Sequence, residues 1–215
     1  MSAALDAICA PLGLRPTAAQ AAALLAYLAL LQRWNATYNL TAVRDPAQML
    51  TQHLADCLAL MPPLQQHRAQ GRLLDVGSGG GLPGVVVAVM LPGLDVTCVD
   101  TVGKKAAFIR QVAAALQLPN LHGEHARVEQ LRAAPFDVVT SRAFASLADF
   151  TRLTRDLLAP AGVWLAMKGK PPDDEIAALP PEVEVFHVEQ LQVPGLDAQR
   201  CLVWMRPLAT ATPPN

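Results

Sequence analysis

Apolar and polar positions change their rhythm once along this chain, near Gly71. Before that point apolar residues recur at helical spacing. Leu24, Leu28 and Leu31, with Leu25 beside them, fall on one face behind Thr17, a capping residue for a helix running to about Trp34. A shorter helix is expected over residues 2–11, closing near Pro11 and Gly13. Asp45-Pro46 forms a second cap and first turn, for a helix through about Leu60 that Pro62-Pro63 ends. After Gly71 the pattern becomes short β-prone runs alternating with helical ones. Strands are expected at 73–76, 95–100, 120–124, 136–141 and 162–168, and helices at 82–90, 104–118 and 147–158. That alternation implies a parallel sheet. Two further strands, 183–190 and 200–205, have no helix between them and imply an antiparallel hairpin at one edge. The expected organisation is a helical extension over residues 1–70 followed by an α/β domain over 71–215.

The change of rhythm coincides with LLDVGSGGGLPG, residues 73–84. A buried strand feeding a glycine loop that opens a helix is how α/β sheets hold nucleotide-like ligands at their carboxyl ends. Gly79-x-Gly81-x-x-Gly84 also fits a dinucleotide loop, a pattern of little weight alone. Asp75 tips the reading, because a carboxylate repels a pyrophosphate and suits a cation. S-adenosylmethionine carries an ammonium and a sulfonium, so Asp75, Gly77 and Gly79 read as a methyl-donor loop. A structural turn with no ligand is the plain alternative. Asp100, closing the second strand, can accept from ribose hydroxyls, which nicotinamide enzymes also require. Val128 and Glu129 follow the third strand, where a loop reaches adenine; an ordinary helix start explains them equally well.

Composition narrows the partners. Hydrophobic residues make up 52%, charged ones 16%, and the net charge is −1, so the chain is globular without the basic excess of an unspecific nucleic-acid binder. RNA contact would need local patches, such as Lys104, Lys105, Lys168 and Lys170, although a solvated surface is the simpler account of any one lysine. Four scattered cysteines argue against disulfides or zinc and for a reducing, cytoplasmic setting. His122, Glu124 and His125 complete no metal set, so no metal is expected. The Ala-rich run 18–31 is too short to span a membrane. Trp34, Tyr38 and Asn39 read as packing, or as a lid in which Asn35, Asn39 and Thr41 cover the cofactor mouth.

Strand four ends in Thr140-Ser141-Arg142-Ala143-Phe144, where such a fold presents its acceptor. No Asn/Asp-Pro-Pro-aromatic set for exocyclic amines is present, and no Pro-Cys nucleophile for pyrimidine carbon. A basic residue suits an acceptor that already owns a lone pair. Guanine N7 is one, and Arg142 could hold its O6. A salt bridge from Arg142 to a strand-tip carboxylate is the alternative.

Several stretches together resemble one known family: WNATYNLTAVRDP (34–46), HLADCL (53–58), LLDVGSGGGLPG, Asp100 with Gly103-Lys104-Lys105 and Phe108-Ile109-Arg110, SRAFASL (141–147), MKGK (167–170) and LQVPGLDAQRCLVW (191–204). The resemblance, nearly end to end, is to the bacterial 16S ribosomal RNA guanine-N7 methyltransferases, the glucose-inhibited division protein B family. It implies an α/β Class I S-adenosylmethionine-dependent methyltransferase (Rossmann-like) fold. The sheet would be mostly parallel and seven-stranded, with an antiparallel C-terminal hairpin and an N-terminal helical extension. It further implies a cytoplasmic enzyme, expected as a monomer, acting on N7 of one guanine in the decoding-centre loop of 16S rRNA or the small subunit. Loss of activity in the family goes with low-level streptomycin resistance. By position, the donor would meet Gly77, Leu82, Val128, Glu129 and Arg142. Arg142 is the candidate catalytic residue, and Asn39, Lys104, Lys105 and Lys168 the candidate RNA contacts. Gly80 stands where the family often has Pro or Ala, and Cys201 where His is common. A nicotinamide oxidoreductase and a non-catalytic ribosome-binding module are the competing readings.

Overall fold

A computed structural model describes residues 3–144 and 146–208. Ser2, the expected start of the first helix, Ala145 within SRAFASL, and residues 209–215 of the expected α/β domain lie outside the described residues.

Helices alone occupy the first part of the chain. After α1 (Ala3–Cys9), α2 (Ala18–Tyr38) opens with a capping box in which Thr17 and Gln20 each accept the other's backbone N–H through a side-chain oxygen. The helix runs past Trp34 to Tyr38 and stops where Asn39 turns left-handed at φ 50°. Asn35 therefore sits buried in the last turn rather than in a lid loop. From there its side-chain oxygen accepts the Thr41 N–H at 2.8 Å and its amide donates to the Val43 carbonyl at 3.0 Å.

The next helix begins as expected, with Asp45 accepting the Ala47 N–H and Pro46 in the first turn. It is continuous but not uniform: α3 (Pro46–Met49) widens into a π-helical stretch, Leu50–Ala55, and returns as α4 (Asp56–Leu58). Pro62-Pro63 does not end helical structure. Both prolines fall in the first turn of α5 (Met61–His67), where a missing N–H costs no hydrogen bond.

The strands are β1 (Gly71–Val76), β2 (Leu94–Asp100), β3 (Leu121–His125), β4 (Phe136–Ser141), β5 (Leu158–Lys168), β6 (Val183–Leu191) and β7 (Arg200–Pro207). Between them lie α6 (Gly84–Met90), α7 (Gly103–Ala115), α8 (Leu147–Thr154) and α9 (Asp173–Ala177), the last not expected from the pattern. The helix expected to reach Leu158 gives way after Thr154 to a 3-10 turn, and Leu158 already belongs to β5. One seven-stranded sheet results, in the order β3-β2-β1-β4-β5-β7-β6. All pairs are parallel except those of β7, which runs antiparallel to both β5 and β6.

Alternating residues divide the core. Leu73, Val96, Val138 and Leu165 face the N-terminal helices, α6 and α7. Leu74, Val99, Val139 and Trp164 face α8. Leu24, Tyr27 and Leu31 of α2 are fully buried in the first of these cores, so the helical extension is part of the layer covering the sheet. The chain leaves β1 toward β2 and β3, then returns to the other side of β1 with β4. This switch point, at the carboxyl ends of the strands, is where open α/β sheets bind their ligands.

Candidate active site

Two cavities lie at the carboxyl end of the sheet. The first, about 370 Å³, is lined by Val76 and Gly77 from the β1 tip, Val99 to Val102 from the β2 tip, Ala126 to Glu129 after β3, and Ala143 and Phe144 after β4. The second, also about 370 Å³, is polar and is lined by Gln52, His53, Asp56, Arg142, Lys168 and Arg200 with Met167 and Gly169.

The glycine loop gives the first cavity its floor. Gly77 has φ +68°, and a Cβ there would stand 2.7 Å from that of Ala143, so this close approach admits backbone only. The N–H groups of Gly77 and Ser78 both reach the Val99 carbonyl, at 2.9 and 3.3 Å, joining the tips of β1 and β2. Asp100 lies against the cavity but is nearly buried: Oδ2 accepts the Gly79 N–H at 3.0 Å and Oδ1 the Val102 N–H at 2.9 Å. Lys105 approaches the same carboxylate at 3.5 Å. Val128 and Glu129 occupy a single 3-10 turn, Val128 buried against the cavity and Glu129 exposed at its rim.

Three of the expected donor residues line neither cavity. Asp75 is fully buried behind the loop, where Oδ2 accepts the Gly84 N–H at 2.8 Å and Oδ1 has no partner among the described residues. Burial pushes its carboxyl up to about 7, against the pull of the Gly84 N–H and Arg142. The expectation that Asp75 faces a bound cation directly is thus corrected: its side chain fixes the start of α6 from beneath. Gly79 (φ +57°) turns the loop, and Leu82 packs into the core.

Arg142 opens onto the second cavity. Its guanidinium donates to Asp56 Oδ2 at 2.7 Å, while Arg200 donates to Asp56 Oδ1 at 2.8 Å. The carboxylate that pairs with Arg142 therefore comes from the helical extension and not from a strand tip. His53 shares the wall. Its Nε2 lies 2.7 Å from Thr41 Oγ1, and burial, with Arg142 nearby, holds its imidazole below the ordinary value and hence neutral.

The expected RNA contacts are dispersed. Lys168 is engaged by Glu175, at 2.8 and 3.0 Å to its two oxygens, and by the Phe144 carbonyl at 3.2 Å. Asn39 caps α2 and accepts from Arg44, and Lys104 is exposed at the start of α7. Asp56, His53 and Arg200 went unmarked as site residues in the sequence, although each lies inside a stretch that carries the family resemblance. Their clustering depends on chain folding and on no local spacing.

A seven-stranded sheet of this order, with a glycine loop at the β1 tip and a cavity at the switch point, defines the chain as a class I methyltransferase. Solved structures with the same fold include TrmN from Thermus thermophilus, at 21% identity and TM-score 0.56, covering 74% of this chain and 53% of that one. Another is an O-methyltransferase from Bacillus cereus in complex with SAH, at 18% and 0.52, covering 84% and 90%. Residues 20–203 match the family model of rRNA small subunit methyltransferase G. Relatives named ribosomal RNA small subunit methyltransferase G are 66% identical over 208 residues in Acidovorax ebreus (strain TPSY), 92% of each chain, and 65% identical over 195 residues in Leptothrix cholodnii, 90% and 89%. The chain belongs to the rRNA small subunit methyltransferase G family, and is an rRNA methyltransferase. The nicotinamide reading of the loop is overturned by this membership.

Proposed function

We propose that the protein transfers a methyl group from S-adenosylmethionine to N7 of one guanine in the decoding-centre loop of 16S rRNA, as a cytoplasmic monomer. One observation carries this reading: consecutive residues at the β4 tip serve two cavities, Ala143 and Phe144 lining the first and Arg142 the second. A donor in one cavity and a base in the other would meet there.

The residues of the first cavity suit the donor. Backbone alone can pass at Gly77, Val128 offers an apolar face for adenine, and Asp100 offers a carboxylate for the ribose. Asp75, Gly79 and Leu82 act one layer behind, shaping the loop. When bound, S-adenosylmethionine supplies an electrophilic methyl on a cationic sulfur. Guanine N7 carries a lone pair and no proton, so the protein needs no general base; its part is orientation and electrostatics. Arg142 supplies a planar donor for guanine O6, an acceptor on the same base edge as N7, and leaves the N7 lone pair free. Among the described residues no helix is long and apolar enough to cross a membrane. Residues 1–70 would act as the extension that walls the acceptor pocket, and Arg200, Lys170 and Lys104 as phosphate contacts, with Lys105 and Lys168 held in ion pairs until RNA arrives.

The test is methyl transfer from labelled donor to small subunits purified from cells lacking the enzyme, followed by borohydride and aniline cleavage to locate N7-methylguanine. A single cleavage site in the decoding-centre loop is expected. Absence of incorporation, or label on an atom that leaves the chain uncleaved, overturns the proposal.

A further inference from the structure

Asp56 is the one carboxylate among the described residues that bridges two arginines, and it does so almost entirely out of water, at 4% exposure. Its partners come from distant elements: Arg142 follows β4, Arg200 opens β7, and Asp56 begins α4. Both arginine side chains are about a quarter exposed and line the polar cavity together with Lys168. Arg142 spends one terminal nitrogen on Asp56, with a longer contact from that nitrogen to Cys57 Sγ at 3.9 Å. Its remaining N–H groups have no hydrogen bond among the described residues.

A carboxylate with both oxygens engaged in this way sets direction as well as charge. Arginine side chains carry much rotamer entropy, which a charge-assisted bond at each guanidinium suppresses before any ligand arrives. The helix bearing Asp56 is shaped for the task. The π-helical stretch Leu50–Ala55 ends immediately before it, and such widened turns recur at functional sites because they re-aim the side chains that follow.

We propose that Asp56 is a positioning residue for methyl transfer: by holding Arg142 and Arg200 as a two-armed fork, it fixes the Arg142 arm against the acceptor guanine. The role rests on reading the polar cavity as the acceptor pocket. It places part of the catalytic geometry on the helical extension, which contributes no residue to the first cavity.

The test compares Asp56→Asn and Asp56→Glu with the wild-type protein, measuring kcat and KM for small subunits, donor dissociation constant and melting temperature. Asn keeps one acceptor and turns an N–H₂ on the other guanidinium, displacing an arm; Glu keeps the carboxylate but moves it by one methylene. On folded protein, Asp56→Asn should lose thirtyfold or more in kcat, with subunit KM changed less than threefold and donor affinity less than twofold. Asp56→Glu should lose three- to tenfold, a partial rescue that a merely structural role would not give. The proposal is overturned if Asp56→Asn stays within threefold of wild-type kcat, or if Asp56→Glu is no better than Asp56→Asn. Should Asp56→Asn unfold at the assay temperature, Asp56→Glu decides alone: a three- to tenfold kcat loss at unchanged KM supports the role, and kcat within twofold of wild type removes it. Failure of the wild-type protein to methylate the subunit would sink the function reading instead, before any substitution is compared.

Discussion

Tyr27 and Gly80 are joined by a buried hydrogen bond of 2.7 Å, the phenol of α2 donating to the carbonyl of the glycine loop. The bond ties the helical extension to the loop beneath the first cavity, and Leu31 of the same helix packs against Gly80. Tyr27 is fully buried, so water cannot replace it as a donor. Tyr27→Phe would leave that carbonyl unsatisfied, at about 1–3 kcal/mol. The expected outcome is a lower melting temperature together with a several-fold rise in the donor dissociation constant. A loss of stability with unchanged donor affinity would show that the loop keeps its shape without the helix.

Gly77 and Gly79 separate two costs that glycine loops usually confound. Both have positive φ, so alanine at either position incurs about 1–2 kcal/mol of backbone strain. Only at Gly77 would the new Cβ collide, 2.7 Å from that of Ala143, whereas the space around Gly79 is open. Gly77→Ala should push the β4 tip outward and weaken donor binding tenfold or more. Gly79→Ala should destabilise the protein with donor affinity reduced only a few-fold. Titration calorimetry beside thermal melts would distinguish the pair.

Asp75 predicts a pH dependence of stability. Its carboxyl titrates near 3.8 when unfolded and near 7 in the folded chain, raised by burial. Between those values the folded state holds more protons than the unfolded one, so stability falls as pH rises through the window. Asp75→Asn removes the titration while keeping an oxygen for the Gly84 N–H. The melting temperature of Asp75→Asn, relative to wild type, should therefore climb between pH 5 and pH 8. A difference independent of pH would show that Asp75 is ionised throughout.

Much of the fold was legible because the parallel strands carry their own punctuation. Asp75-Val76-Gly77, Asp100 and Ser141-Arg142 each mark a strand end, and the structure brings all of these ends to one edge. The limits of the helices were less legible. Nothing local shows that α2 continues to Tyr38, that Pro62-Pro63 starts a helix, or that a π-helical stretch interrupts residues 46–58. Arg142 was identifiable as basic at an acceptor position, yet its partner was not. Asp56 lies 86 residues from Arg142 and 144 from Arg200, and only the packing of α4 over the strand tips brings them together. Lys168 shows the converse: a lysine beside glycine reads as a phosphate contact, while Glu175 from the unforeseen α9 already holds it.

Arg142→Lys isolates what the guanidinium does beyond carrying charge. A lysine ammonium is a compact point charge on a flexible stem, and it cannot hold Asp56 with one edge while presenting a planar edge to guanine O6. Because the positive charge remains, Asp56 keeps a counter-ion on each side, and the fold should lose little stability. The first cavity has no Arg142 in its lining, so donor affinity should stay within about threefold. The methylation rate at saturating small subunits should drop by roughly 10²-fold, the scale on which loss of one preorganised donor to a reacting centre is felt. Single-turnover transfer of labelled methyl, measured beside calorimetric donor binding, checks both halves. A rate near wild type would place the acceptor base away from Arg142, whereas parallel loss of donor affinity would move this side chain into the donor site.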